Sequence, residues 1–203
     1  MRTTRATSLA VVGLAAALAG ATVMAGAATW EIDPAHSSVQ FKVRHLMVSW
    51  VRGEFRSVRG SAAVPDDDPT KASLEAVIDV DSIDTGVAKR DTHLKSPDFF
   101  DATKFPTMTF KSKGVERATD GRYRVAGDLT LHGVTRGVVL DVEGPAPATK
   151  NPMDGSQRTG ASATTKLHRK DFGLAWNKAL ETGGVMVGDE VQVVIDVELV
   201  RKD

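Results

Sequence analysis

Val191-Gln192-Val193-Val194-Ile195-Asp196-Val197-Glu198-Leu199 is the stretch that decides the fold. Its period is two. Val191, Val193, Ile195, Val197 and Leu199 fall on one side and Gln192, Asp196 and Glu198 on the other, the pattern of a strand with one buried face. The same alternation sets Val39, Phe41, Val43 and His45 against Gln40, Lys42 and Arg44. It recurs with Leu74, Ala76, Ile78 and Val80, where only Val77 breaks the polar face, with Tyr123, Val125, Leu129 and Leu131, and with Val138, Leu140 and Val142.

Three looser segments complete the set: Phe55 to Val64, Thr107 to Lys113 carrying Met108 and Phe110, and Arg158 to Leu167. The first has a phase slip near Gly60, which predicts a bulge there. Turn signals such as Asp66-Asp67-Asp68-Pro69, Asp120-Gly121 and His132-Gly133 separate the runs, and the count comes to about eight strands. Only Thr85 to Leu94 reads as helix, with Ser96-Pro97-Asp98 offering a second short start. The expected class is all-β, with one short helical insertion at about residues 85–101. Eight strands with one apolar face each can stack as a sandwich or close into a barrel, and short hairpin connections favour up-and-down closure. A closed eight-stranded barrel is either filled by its side chains or holds one small ligand. Medium-sized Val, Leu and Ile, with an aromatic content of only 5%, leave room for the second outcome.

Composition narrows the function. The 203 residues carry 26 Lys+Arg against 26 Asp+Glu, a formal net charge of zero, so no broad basic surface exists for nucleic acid. The absence of cysteine removes disulfides, zinc-thiolate sites and thiol nucleophiles. Arg2 and Arg5, the apolar run Leu9 to Met24 and the small residues Ala25-Gly26-Ala27 read as an export signal spanning 1–27, with residues 28–203 as the mature domain.

No nucleophile elbow, phosphate loop or His-x-x-x-His pair occurs, and the five histidines are scattered, so no metal site is expected. His45 continues an apolar phase and points inward. There it serves either as a hydrogen-bond partner for a ligand or as a satisfied core histidine. Arg90, Asp91 and His93 share the helix that runs into Phe99-Phe100. Either Arg90 and His93 face a head group while Leu94, Phe99 and Phe100 cover a tail, or the charges pin the helix to the barrel. Arg169 to Gly173 with Trp176 forms a second loop combining charge and aromatics.

These segments, in this order, resemble the YceI-like polyisoprenoid-binding family of bacterial periplasms. Trp30 to Ser37 leading into Val39, Phe41, Val43 and His45 is similar to the family's opening strand, and Gly53-Glu54-Phe55 with Gly60 to its second. Arg90-Asp91-x-His93-Leu94 and Ser96-x-Asp98-Phe99-Phe100-Asp101 resemble its helical insertion. Gly127 to Thr135 looks like its hairpin, and Arg169-x-Asp171-Phe172-Gly173 with Val187-Gly188-Asp189-x-Val191 like its closing pair. The resemblance implies a lipocalin-like antiparallel barrel with a long apolar tunnel for a polyisoprenoid or similar amphiphile, quinone-like or prenyl, and no catalysis or cofactor. It also implies a periplasmic protein, frequently a homodimer; a soluble carrier of such a lipid is expected to supply or protect a membrane redox partner such as a cytochrome. On the inward faces read above and the loop after Arg169, the expected tunnel lining is Val39, Phe41, Val43, Ile78, Val80, Met108, Phe110, Leu129, Leu131, Leu140, Phe172, Trp176, Val193, Ile195 and Val197. The expected head-group or mouth residues are His45, Arg90, His93, Phe99, Phe100 and Arg169. The rival expectations are an enzyme acting on the same lipid and a solidly packed stress-response barrel that binds another protein.

Overall fold

The computed structural model describes residues 27–65, 68–181 and 183–202. The expected export signal therefore lies outside the described residues, except for Ala27. The elements are β1 (Ala27–Ile32), β2 (Ser38–His45), β3 (Ser49–Phe55), β4 (Val58–Pro65), β5 (Ser73–Asp79), β6 (Ile83–Asp84), α1 (Ala88–Lys95), β7 (Thr107–Arg117), β8 (Tyr123–Leu131), β9 (Val134–Glu143), β10 (Thr149–Lys150), β11 (Gln157–His168) and β12 (Val187–Lys202).

Interruptions divide several long runs, so twelve strands form eight antiparallel staves: β1 with β2, β3 with β4, β5 with β6, then β7, β8, β9 with β10, β11 and β12. Each stave pairs with the next in sequence, and β12 closes the ring. One of its edges pairs with β11 from Arg158↔Val200 to His168↔Glu190. Its other edge is shared by β2, up to Ser38↔Asp196, and β1, from Ile32↔Leu199. The result is an eight-stranded closed antiparallel barrel with one helix. Closure pairs most strand edges, though β9 residues 134–140 have no partner strand on the β11 side.

One join is short. β9 and β11 pair only at Asp141↔Thr164, Val142↔Ala163 and Glu143↔Ser162. Beyond those pairs the Thr165 hydroxyl donates to the Val139 carbonyl at 2.8 Å, and Arg136 Nε donates to the Asp171 carbonyl at 3.3 Å.

Up-and-down order places the connections 46–48, 85–106, 132–133 and 169–186 at one end, and both described termini at the other. The first end holds α1. Asp91 accepts from the Thr85 backbone N–H and hydroxyl at 2.9 and 2.5 Å, while Arg90 donates to the Thr85 hydroxyl and carbonyl at 2.7 and 2.8 Å. Two ionisable side chains thus clamp the helix start to the end of β6. Below α1, Val80, Ile83, Phe99, Ala102, Phe172 and Leu174 pack into a buried plug at this end of the barrel.

The phase slip in the second stave belongs to a different place from the one the sequence indicates. Inward positions are odd through Phe55 and even from Val58, so the phase changes at Arg56-Ser57, between β3 and β4. Gly60 itself lies in unbroken register opposite Ala76. The bulges of the sheet lie instead between Ser112 and Gly114 and between Val187 and Val191. Gly60 is required for another reason: a Cβ there would stand 2.1 Å from the Glu75 carbonyl oxygen and 2.8 Å from Ala76 Cα. Because those neighbours are backbone, Gly60→Ala forces β4 and β5 apart and is expected to cost about 2–3 kcal/mol, read as a lowered urea midpoint.

Candidate functional site: an apolar bore

The inward faces do not meet. They enclose an elongated cavity of about 290 Å³ bordered by all the long staves, with Leu94 of α1, Phe99 and Phe100 from the turn after it, and Phe172 and Leu174 from the last long loop at one end. Glycine explains how phenylalanines line this bore without crossing it. A Cβ on Gly53 would lie 2.5 Å from Phe41 Cζ, and one on Gly127 2.5 Å from Phe110 Cζ. Each ring therefore occupies the space above a glycine on the adjoining strand and lies along the wall. Phe41 continues into Phe55 at 5.7 Å between ring centroids, and Phe55 into Phe100 edge-on at 5.6 Å.

Of the expected lining, Val39, Phe41, Val43, Ile78, Met108, Phe110, Leu129, Leu131, Leu140, Phe172, Val193, Ile195 and Val197 border the cavity. Val80 does not. β5 ends at Asp79, and the turn that follows buries Val80 in the plug beneath α1, at 1% exposure. Trp176 also stands off the cavity, its ring 5.1 Å from both His93 and Phe99. Leu94, expected to cover a tail, borders the bore, and so do Leu74, Ala76, Ala161, Ala163 and Leu174, which the expected lining omits. Inward alternation already marked Leu74 and Ala76. Ala161 and Ala163 carry too little hydrophobicity to display a period.

The expected head-group residues are differently employed. Phe99 and Phe100 border the bore, but His45, Arg90 and His93 do not. Arg90 is spent on Thr85. His93 Nε2 lies 2.9 Å from Asp98 Oδ2 in an exposed pair, with its ring edge-on to Phe99 and Trp176. His45 ends β2, half-buried, opposite Ser49 and Val187.

Arg169 borders the cavity and is 5% exposed, yet its guanidinium faces protein acceptors. Nε donates to the Gly188 carbonyl at 3.0 Å, and Nη1 to the Leu174 carbonyl and, at 2.9 Å, to that of Trp176. Nη2 donates to the Val187 carbonyl at 3.4 Å and to Asp189 Oδ1 at 3.2 Å. All five guanidinium hydrogens are used. Burial lowers its pKa, with Asp189 opposing the shift. Arg169 is the tie that folds loop 169–176 over the barrel end, so it presents no donor to a head group.

The other polar side chains bordering the bore are those of Ser61, Glu75 and Thr165. Glu75 is ion-paired outward with Lys111 at 2.6 Å, Ser61 is exposed, and Thr165 donates to Val139. The interior can therefore select by length and girth, and offers little to fix a polar group.

A polar cluster sits at the break between β1 and β2. Asp33, His36 and Glu198 hold their donor atoms within 4.8 Å of one another. Arg158 already supplies the cation, with Nη1 2.7 Å from Asp33 Oδ2 and 2.5 Å from Glu198 Oε1. Hydrogen bonding from His36, then the Ala35 N–H and Arg158, holds the Asp33 carboxyl down to about 2. His36 is raised in return, mainly by Asp33.

The comparisons with known proteins agree with this geometry. A family model described as the YceI-like domain matches residues 30–199. The chain belongs to the YceI-like family. A relative, a UPF0312 protein of Staphylococcus aureus, is 42% identical over 160 residues, covering 79% of this chain and 90% of its own. The crystal structure of the Campylobacter jejuni YceI protein aligns with a TM-score of 0.64 at 32% identity, covering 79% of this chain and 90% of that one. A domain from Saccharophagus degradans described as polyisoprenoid binding shares the fold, with a TM-score of 0.60 at 16% identity and coverage of 85% and 98%.

Two outcomes follow for this YceI-like barrel. Arg169→Gln leaves several buried carbonyls short of donors and is expected to cost about 3 kcal/mol, seen in chemical denaturation. For Asp33 the sign is that of a depressed carboxylate, whose stabilisation is present above the ordinary value and lost on acidification. The stability difference between wild type and Asp33→Asn should therefore be full from about pH 4 up to the ordinary range of His36, and close as the pH falls through about 2. The share due to protonated His36 is present below its ordinary value and fades as pH rises through its raised one. Thermal melts across this range check both limbs.

Proposed function

We propose that this protein is a carrier that holds the hydrocarbon tail of a polyisoprenoid or similar amphiphile, prenyl or quinone-like, inside the barrel. The observation that carries this reading is the bore itself: about 290 Å³ walled by apolar side chains whose few polar neighbours are committed elsewhere. An unfilled apolar void of that size costs about 7 kcal/mol at roughly 24 cal/mol per Å³. That is comparable to the whole stability of an ordinary domain, about 5–15 kcal/mol. A tail that fills it recovers about 0.8 kcal/mol per buried methylene. Water does not, because apolar walls offer it no partners.

Family membership and the description of the Saccharophagus degradans domain favour the same ligand class. The polar end of the amphiphile would remain near the α1 end, where loops rather than strands close the barrel. Binding without turnover is the reading that suits these walls, since general acid–base catalysis needs a titratable group within reach of the reacting atoms, and His45 and His93 lie off the bore. The leader-like segment at 1–27 supports export, and a periplasmic carrier of this kind would serve a membrane redox protein such as a cytochrome, either as a single chain or as a homodimer.

Ala163→Phe tests the assignment directly. Ala163 is buried and borders the bore, so the added ring occupies the space meant for the tail. In native mass spectrometry after mild purification, wild type should carry a lipid-sized adduct or take up an added prenyl quinone. The variant should remain folded with at least about a tenfold loss of uptake, the scale of about 1.4 kcal/mol. A wild-type barrel that is empty and refuses prenyl quinones and prenyl phosphates contradicts the proposal.

A further inference from the structure

The β2–β3 hairpin carries a feature that the bore does not explain. Its tip turns through Leu46 and Met47, both left-handed at φ 50° and 62°, a conformation unfavourable for side chains of this size. That turn exposes two apolar residues at the end of the barrel that α1 also covers: Met47 at 48% and Val48 at 77%.

On the outer face beside the tip, Lys42 stands directly across from Arg52, and Arg44 across from Trp50. Like charges in facing positions work against the sheet. Lys42 Nζ and the Arg44 guanidinium lie over the Trp50 ring, 5.2 and 4.9 Å from its centroid. Arg44 also donates to the Met47 carbonyl at 2.8 Å. Among the described residues no carboxylate pairs with any of the three cations. An exposed apolar tip, an interfacial tryptophan and three unneutralised cations on one hairpin match the layered chemistry of an anionic bilayer surface: hydrocarbon boundary, head-group zone, negative charge.

We propose that the β2–β3 hairpin docks this protein on an anionic lipid bilayer, Met47 and Val48 entering the head-group boundary and Lys42, Arg44 and Arg52 facing lipid phosphates. The proposal rests on the carrier reading only for its purpose, since docking here sets the α1 end of the bore beside the membrane from which a tail is taken or to which it is returned.

The test is co-sedimentation of the full protein with vesicles of phosphatidylcholine mixed with phosphatidylglycerol, against vesicles of phosphatidylcholine alone. Native mass spectra of the same samples report retained lipid. Wild type should sediment with the mixed vesicles and be released by salt. The Lys42→Gln/Arg52→Gln double variant should partition about 25-fold less, each basic residue at such a surface being worth about fivefold. Val48→Asp should fall as well, and both should retain lipid and the wild-type circular dichroism. Lys42→Arg, which preserves the charge, should sediment as wild type does. No sedimentation of a lipid-loaded wild type overturns the docking surface and leaves the carrier intact. Binding unchanged in both Lys42→Gln/Arg52→Gln and Val48→Asp, or insensitive to salt and to lipid charge, overturns it too.

Discussion

The width of an eight-stranded ring, set against the volume of the side chains turned into it, is the constraint on which this structure depends. Such a ring is just wide enough to be filled if large residues point inward. Here the inward positions are dominated by Val, Leu, Ile and Ala, and the two mid-wall rings Phe41 and Phe110 lie over Gly53 and Gly127 rather than across the centre. Glycine thus has a structural consequence beyond backbone freedom: it stores an aromatic ring against the wall. The unfilled volume runs from Leu199 and Val197 near the termini to Phe99 and Leu174 beneath α1.

The remainder of the molecule separates closure from contents. Charged groups that looked chemically interesting hold the barrel shut. Arg169 folds a loop onto the start of β12, Arg90 and Asp91 anchor α1, and Arg158 joins β11, β12 and the break between β1 and β2. A buried guanidinium surrounded by carbonyls is costly to disturb, which suits a tie better than a recognition element that must admit and release a partner. With the polar groups committed to architecture, the hollow is left to dispersion and the hydrophobic effect, and these do not discriminate finely between head groups.

Period-two alternation made most of the fold legible, because an inward apolar face one residue out of step would be lost to solvent. The last strand, the opening strand and the Leu129–Leu131 segment could be read from that rule alone. Alternation failed where residues were small or where the chain broke phase. Ala161 and Ala163 border the bore without displaying a period, β3 lies outside the segment Phe55 to Val64 except for Phe55, and the slip attributed to Gly60 belongs to Arg56-Ser57. Candidate polar residues were harder still. Sequence shows that Arg169 and Arg90 sit near a barrel end but not which acceptors they face, and those acceptors are main-chain carbonyls, a threonine hydroxyl and the Asp189 carboxylate. His45 kept its inward phase but sits beyond the end of the bore, beside a bulge in β12 that no local pattern announces. Val80 illustrates the same limit, its alternation correct until the strand turned at Asp79.

The most direct measurement of the central claim is the electron density of a crystal of the protein as purified, examined along the axis between Val197 and Phe99. A lipid-filled bore shows there as a continuous tubular feature unattached to the chain, flanked by Phe41 and Phe110 rings lying flat over Gly53 and Gly127. Rings swung across the centre, with the protein's own side chains in van der Waals contact from one end of the barrel to the other, would contradict it.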